Sequence, residues 1–288
     1  MLELFLSKKM NYCQWSPTLG ELEDTAENVW GTPKYEGDLD DPTVFFGLYG
    51  LPDFYKLWRH RGKKWILWAG SDIVNFTQGY WLEEGGDIRL NPDPLSEWIS
   101  KNCENWVENM VESRALAECG IETQVTPSFL GRINEYKVSY TRQDRPRVYI
   151  SANPEREIEY GWKIIEDIAD KCDVDFYLYG SSSWKTKRPN VIIRGRLRKD
   201  IMNEEIQDMQ CGLRLNEGMD GFSEITAKSA LWGQYPIVRS GFEYPLIDSF
   251  ITKEELIVLL NDLKNKKKPN YTTRKHYREN LNLFPWTK

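Results

Sequence analysis

Cys211–Ser240 reads CGLRLNEGMDGFSEITAKSALWGQYPIVRS, and its order of residue types decides the fold. Cys211–Leu215 is a short apolar strand. A loop with Gly218 and Gly221 follows, and a helix opens at Ser223 and stays small and apolar to Leu231. Gly233 stops that helix and Pro236–Val238 is a second strand, which together make a βαβ unit. Gly221 lets the backbone approach a ligand closely, and the N–H groups at the start of the helix favour an anion such as a phosphate. A plain βαβ unit with no ligand is the alternative, and the rest of the chain decides between the two.

Outward from that stretch the pattern repeats. Upstream, Arg147–Ile150, Val174–Tyr179 and Val191–Ile193 read as strands, with Ile158, Gly161, Ile165, Ile168 and Cys172 on one helical face and a further helix over Asp200–Met209. Downstream, Thr252 and Glu255 form a capping box that starts a helix through Leu263. In the first half, Thr43–Leu48 and Trp65–Trp68 are strands around a helix bounded by Pro52 and Gly62. From Trp106, the positions Val107, Met110, Val111 and Leu116 predict a helical face capped at Gly120, with a strand at Ile121–Val125. Leu2–Leu6 is a candidate first strand, and the rest of residues 1–42 reads as loop. Strands alternating with helices predict an α/β fold of two doubly wound, Rossmann-like domains facing across a cleft, with ligands at the carboxyl ends of the strands. The boundaries fall at 1–135 and 140–269, with the tail 270–288 packing back on the first domain.

Composition bounds the function. The 288 residues carry 28% charged and 13% aromatic side chains, 12 Trp and a net charge of −6, so the chain as a whole is no electrostatic nucleic-acid binder. Five scattered cysteines with no CxxC pair argue against a disulfide framework or a zinc site, and two histidines against a multi-histidine metal centre. The N-terminus is too short for a signal peptide and no apolar run approaches a membrane span. A cytoplasmic protein, at most peripheral to a membrane, is expected.

DGFSEITAKSALWGQYPIV, with WAGSD at 68–72, CENWVENMVESRALAECGIETQVTPSF at 103–129 and RGRL at 194–197, resembles glycosyltransferases of the two-Rossmann-domain GT-B type, the group 1 or GT4-like enzymes. The resemblance runs in order over roughly residues 43–263. It implies transfer of a sugar from a nucleoside-diphosphate sugar to a glycan or lipid-linked glycan hydroxyl, without metal or other cofactor. The donor would meet Gly195, Arg196, Leu197, Arg214, Asp220, Gly221, Phe222, Ser223 and Glu224, with Asn153 near the expected diphosphate grip. One departure stands out. Many members have a Glu five residues before the helix-ending Gly, and here that position is Lys228, so the acid pair it forms with the residue at Asp220 is half lost.

On the acceptor side, Asp72 and Glu104 both follow apparent strand ends, which makes either a general-base candidate; an Asx-turn or helix-cap role for Asp72 and a first-turn helix role for Glu104 are the alternatives. Tyr49, Gly50 and Ser71 are expected to line the acceptor. Two basic stretches, 56–64 and 264–279, suit anionic lipid headgroups or a phosphate backbone. The second option keeps a phage-type DNA glycosyltransferase acting on a hydroxylated base as an alternative. A nucleotide-sugar-binding protein without catalysis is the other.

Overall fold

The computed structural model describes residues 11–37, 39–79, 93–216 and 221–287. The chain divides into two units, one of Met1–Gly131, Met219–Gly221 and Asn282–Lys288, the other of Arg132–Gly218 and Phe222–Leu281.

The first unit is built on a parallel sheet of β1 (Tyr12–Trp15), β2 (Thr43–Phe46), β3 (Lys64–Leu67), β4 (Glu104–Val107) and β5 (Thr123–Val125), lying side by side in chain order. Its helices are α1 (Glu23–Trp30), α2 (Leu51–Arg59), α3 (Ser71–Thr77), α4 (Asp93–Asn102) and α5 (Met110–Glu118). Alternate strand residues face opposite ways, and the two faces of this sheet are both apolar. Phe45, Ile66 and Val107 join Leu57, Ile73, Phe76, Ile99 and Leu116 from the helices in one core. Cys13, Trp15, Val44, Phe46, Trp65, Leu67 and Trp106 form the other with Trp30 and the C-terminal Phe284 and Trp286.

Two sequence expectations for this unit are corrected. The expected strand at Leu2–Leu6 lies outside the described residues. The loop expected over the rest of 1–42 instead holds β1 and α1, and Tyr12–Trp15 pairs in parallel with β2 because Cys13 and Trp15 alternate inward. Trp106 does not begin a helix either. Trp106 and Val107 end β4, and α5 starts only at Met110, where the Asn109 side chain accepts from the Glu112 N–H at 3.1 Å.

The second unit holds β6 (Arg147–Ser151), β7 (Asp175–Tyr179), β8 (Val191–Gly195), β9 (Cys211–Arg214), β10 (Ile237–Arg239) and β11 (Asp248–Phe250), with α6 (Trp162–Ile168), α7 (Lys199–Ile206), α8 (Glu224–Trp232), α9 (Lys253–Asp262) and α10 (Tyr271–Asn280). Every strand pair is parallel and the order is β11-β10-β9-β6-β7-β8. The chain works outward from β6 to β8, then crosses back to β9 and works outward the other way. This is the doubly wound dinucleotide-binding order, and its direction reverses between β6 and β9. The helix of the opening stretch, α8, is buried from Thr226 to Trp232 and ends at Gly233 with φ +81°. Small residues let it lie between its neighbours, and α10 packs on it, with Arg274 Nε donating to the Leu231 carbonyl at 2.8 Å. The capping box at Thr252 and Glu255 is formed on both sides. The expected α/β architecture with two Rossmann-like domains is thus observed.

Candidate functional site

In the second unit the strands are parallel, so the segments after β6, β7, β8, β9 and β10 share one edge of the sheet. Arg214 closes β9 beside the point where strand order reverses. Its side chain is buried; Nε donates to Asn216 Oδ1 and Nη1 to the Tyr244 hydroxyl, both at 3.2 Å, and the guanidinium lies 4.2 Å from the Phe242 ring centroid. These contacts fix the guanidinium at the strand end. Phe222 is buried against Tyr244 and Tyr277, with ring centroids 4.7 and 5.4 Å away, and so pins the start of α8. Ser223 is the N-cap residue of α8, and its hydroxyl makes no capping bond.

Glu224, at the first position of α8, would repel an anion there were it not flanked by two cations. Lys199 Nζ lies 2.8 Å and Lys228 Nζ 3.0 Å from Glu224 Oε1. Burial works to raise the Glu224 carboxyl, but the two lysines outweigh it and hold it below the usual range. Lys228 is itself buried, donates to Asn203 Oδ1 at 2.8 Å, and is lowered by that burial against the pull of Glu224. The trio leaves one net positive charge at the head of the helix.

Gly195 ends β8 with φ +71°, and a Cβ there would meet Ser182 Oγ, so this chain reversal belongs to glycine. Its carbonyl accepts the Gly180 N–H at 2.8 Å. Arg196 is exposed and Leu197 half-buried after it, and Asn153 is exposed after β6. Asp220 lies outside the described residues. Sequence reasoning missed Glu157. The Ser181 and Ser183 hydroxyls after β7 both donate to its Oε1, Ser183 at 2.7 Å, and they hold its carboxyl down at about 2. A serine run after a strand ending in Gly was the available signal.

In the first unit, Tyr49 and Ser71 come together after β2 and β3, with Ser71 Oγ donating to the Tyr49 hydroxyl at 3.2 Å; Gly50 is the N-cap of α2. Asp72 lies beneath them and is fully buried, and its oxygens accept the N–H groups of Leu48 (2.8 Å), Ala69 (2.9 Å) and Ile73 (2.8 Å). It ties two strand ends together and presents no surface to an acceptor, so the expectation of a general base at Asp72 is corrected; the N-cap of α3 is Gly70, and Asp72 accepts its backbone N–H groups from inside the first turn. Glu104 is corrected for a different reason. It is the first residue of β4, at the amino edge of the sheet, where Lys63 pairs with it at 2.8 Å and Trp65 Nε1 donates to it at 2.9 Å.

The acid at the carboxyl edge of β4 is Glu108, buried, with its own N–H donating to Glu112 Oε2 at 2.8 Å. Gly221 falls in the same unit, and a Cβ there would meet the Glu108 carboxylate, so a side chain at this position would require Glu108 to shift. Asn109-x-x-Glu112 is a helix-start signature, and reading it would have placed Glu108 at the strand end.

The basic stretches are largely absorbed in structure. Arg61 pairs with Asp40, Lys63 with Glu104, Lys266 with Asp262, and Arg274 also bonds the Tyr136 carbonyl at 3.0 Å. Among the described residues no helix is long and apolar enough to cross a membrane, and no group of three or more His, Cys, Asp or Glu side chains is placed to hold a metal ion.

No protein-family model matches the chain, and no curated protein matches it. Solved structures do. TarM is similar over 82% of this chain and 51% of its own length, at 12% identity and a TM-score of 0.55. WaaB, the lipopolysaccharide outer core galactosyltransferase in its apo form, is similar over 95% of both chains at 10% identity and a TM-score of 0.55. HepE of Anabaena, in complex with UDP, is similar over 94% of this chain and 98% of its own at 12% identity and a TM-score of 0.51. The chain therefore spans about half the length of TarM and nearly all of the other two. At such identities the likeness establishes the fold, which is that of GT-B glycosyltransferases.

Proposed function

We propose that the protein is a glycosyltransferase that moves a sugar from a nucleoside-diphosphate sugar, most simply a UDP-sugar, to a hydroxyl of a glycan or lipid-linked glycan. The observation that carries the reading is the buried Arg214 at the strand-order reversal of a GT-B second domain, next in the chain to the loop that opens α8. UDP bound to HepE, a neighbour in fold, supports the choice of base. In this reading the α8 N-terminus, Arg214 and the Lys199–Glu224–Lys228 trio meet the diphosphate and offset the charge that develops on it as the glycosidic bond to the sugar breaks, without a metal. The backbone at Gly195–Leu197 meets the base. Tyr49 and Ser71 bind the acceptor, and Glu108, buried like Asp72 but set at the carboxyl edge of β4 with its carboxylate against Gly221, replaces Glu104 as the candidate base.

A second reading, a nucleotide-sugar-binding protein without turnover, is favoured by one observation: Lys228 is locked to Glu224 and Asn203 where many relatives of this type carry an acid. Incubation with UDP-, GDP-, ADP- and CMP-sugars, followed by assay for released nucleoside diphosphate or monophosphate, separates the two. Turnover that falls at least tenfold in Glu108→Gln supports transfer. Donor binding with no turnover on any acceptor supports the binding protein.

A further inference from the structure

The outer face of α2 carries an uncommon combination. Tyr55 and Trp58 are each 54% exposed and stack on one another with ring centroids 6.1 Å apart. Among the ring–ring contacts of the described residues, this is the pair in which both rings are more than half exposed. Lys56 and Arg59 are exposed on the same helix, and Arg59 lies over the Tyr55 ring at 5.5 Å. Neither cation has a carboxylate partner among the described residues. The helix does contain an acid, Asp53, but it is turned inward, accepting from Ser16 Oγ at 2.8 Å and from the Tyr49 N–H at 3.0 Å. Leu57 is buried on the inner side. The helix thus presents two amphipathic aromatics and two cations outward in a chain whose net charge is −6.

We infer that this face docks the protein on an anionic lipid surface. Tyr and Trp are the side chains that settle at the headgroup level of a bilayer, with the ring in the apolar boundary and the polar edge in water. Lys and Arg lay their stems along that boundary and place their charge among anionic headgroups. The charge pattern distinguishes this occupant from a neutral glycan and from a second copy of the chain. A neutral glycan would use the rings and have no use for the cations, and a second copy of the chain would bring like charges face to face. The inference stands independently of the transferase reading, since it concerns neither donor nor turnover.

Co-sedimentation of the full chain with phosphatidylcholine vesicles, with and without phosphatidylglycerol, tests it. The protein is expected to partition onto the mixed vesicles, to stay in solution with phosphatidylcholine alone, and to be released by salt. Tyr55→Ser/Trp58→Ser is expected to weaken partition about tenfold, and neutralising Lys56 or Arg59 to Gln about fivefold each, from roughly 1 kcal/mol per surface cation. Both sites are exposed, so the variants should keep the wild-type melting temperature. No partition onto anionic vesicles, or partition that the variants leave unchanged, overturns the inference. So does a change in sedimentation-velocity mass, or in oligosaccharide binding, with vesicle partition unaltered.

Discussion

Replacing Lys228 tests whether the head of α8 is organised as an internal charge trio. Lys228 Nζ meets Glu224 Oε1 at 3.0 Å and Asn203 Oδ1 at 2.8 Å, and Glu224 keeps a second partner in Lys199 at 2.8 Å. Lys228→Met removes a buried cation along with its cost of burial, leaves Glu224 paired, and strands the Asn203 carbonyl. The lost charge-assisted hydrogen bond, less the relieved desolvation, comes to about 1–2 kcal/mol. Lys228→Glu instead places a second carboxylate one helical turn from Glu224. A full buried, unpaired carboxylate costs about 3–5 kcal/mol, and because Glu224 is half exposed the lower end, about 3 kcal/mol, applies. At about 2–4 °C per kcal/mol for a domain of this size, the melting temperature should fall by a few degrees for Lys228→Met and by roughly 6–12 °C for Lys228→Glu. The charge-reversed pair Glu224→Lys/Lys228→Glu restores the 224–228 ion pair but sets a second cation beside Lys199, so it should recover part of that loss. Urea denaturation and calorimetry read all three variants. If Lys228→Glu is no worse than Lys228→Met, or the reversed pair recovers nothing, the trio does not organise the helix start.

Two further perturbations probe each unit separately. Gly180 has φ +99°, and a Cβ there would collide with the Ala152 carbonyl, so Gly180→Ala should cost about 2–4 kcal/mol by urea denaturation; a loss under about 1 kcal/mol would mean that the turn after β7 has another conformation open to it. Burial lifts the Asp72 carboxyl to about 6, although the N–H groups of Leu48, Ala69 and Ile73 pull the other way. The folded chain then takes up this proton at a higher pH than the unfolded chain, whose value is about 3.9. Its contribution to stability is complete below about pH 4 and is lost as the pH rises through about 6. The melting-temperature difference between wild type and Asp72→Asn should accordingly favour wild type more at pH 4 than at pH 7, and a difference that is flat with pH would contradict the buried titration.

The second domain was the more legible half, for a physical reason. Its strands are buried on both sides and bounded by glycines, so Val148–Ile150, Phe176–Tyr179 and Leu213 announce themselves as apolar runs, and the Thr252–Glu255 box marks its helix to the residue. β11 escaped because Asp248 and Ser249 are exposed and only Phe250 turns inward. In the first domain, β1 is four residues with two polar side chains, too short to show a period. The segment from Glu104 to Leu116 contains a strand and a helix that share an apolar continuity through Val107 and Met110, which moved the helix start too early and put Glu104 on the wrong edge of the sheet. Site residues on backbone turns, such as Gly195 and Ser223, could be read from turn chemistry. Arg214, Phe222 and Lys228 could be listed but not given partners, because Tyr244, Tyr277 and Asn203 reach them through tertiary packing.

In the proposed function, the second domain holds a nucleoside diphosphate through Arg214 and the head of α8. The direct measurement is the melting temperature of wild type and Arg214→Gln across a titration of UDP, with GDP, ADP and CMP alongside. Wild type should be stabilised by about 2.7 kcal/mol when UDP reaches a hundred times its dissociation constant. Arg214→Gln should need at least tenfold more UDP for the same shift. A wild-type melting temperature that no nucleotide raises, or a UDP shift that Arg214→Gln leaves intact, would contradict the account.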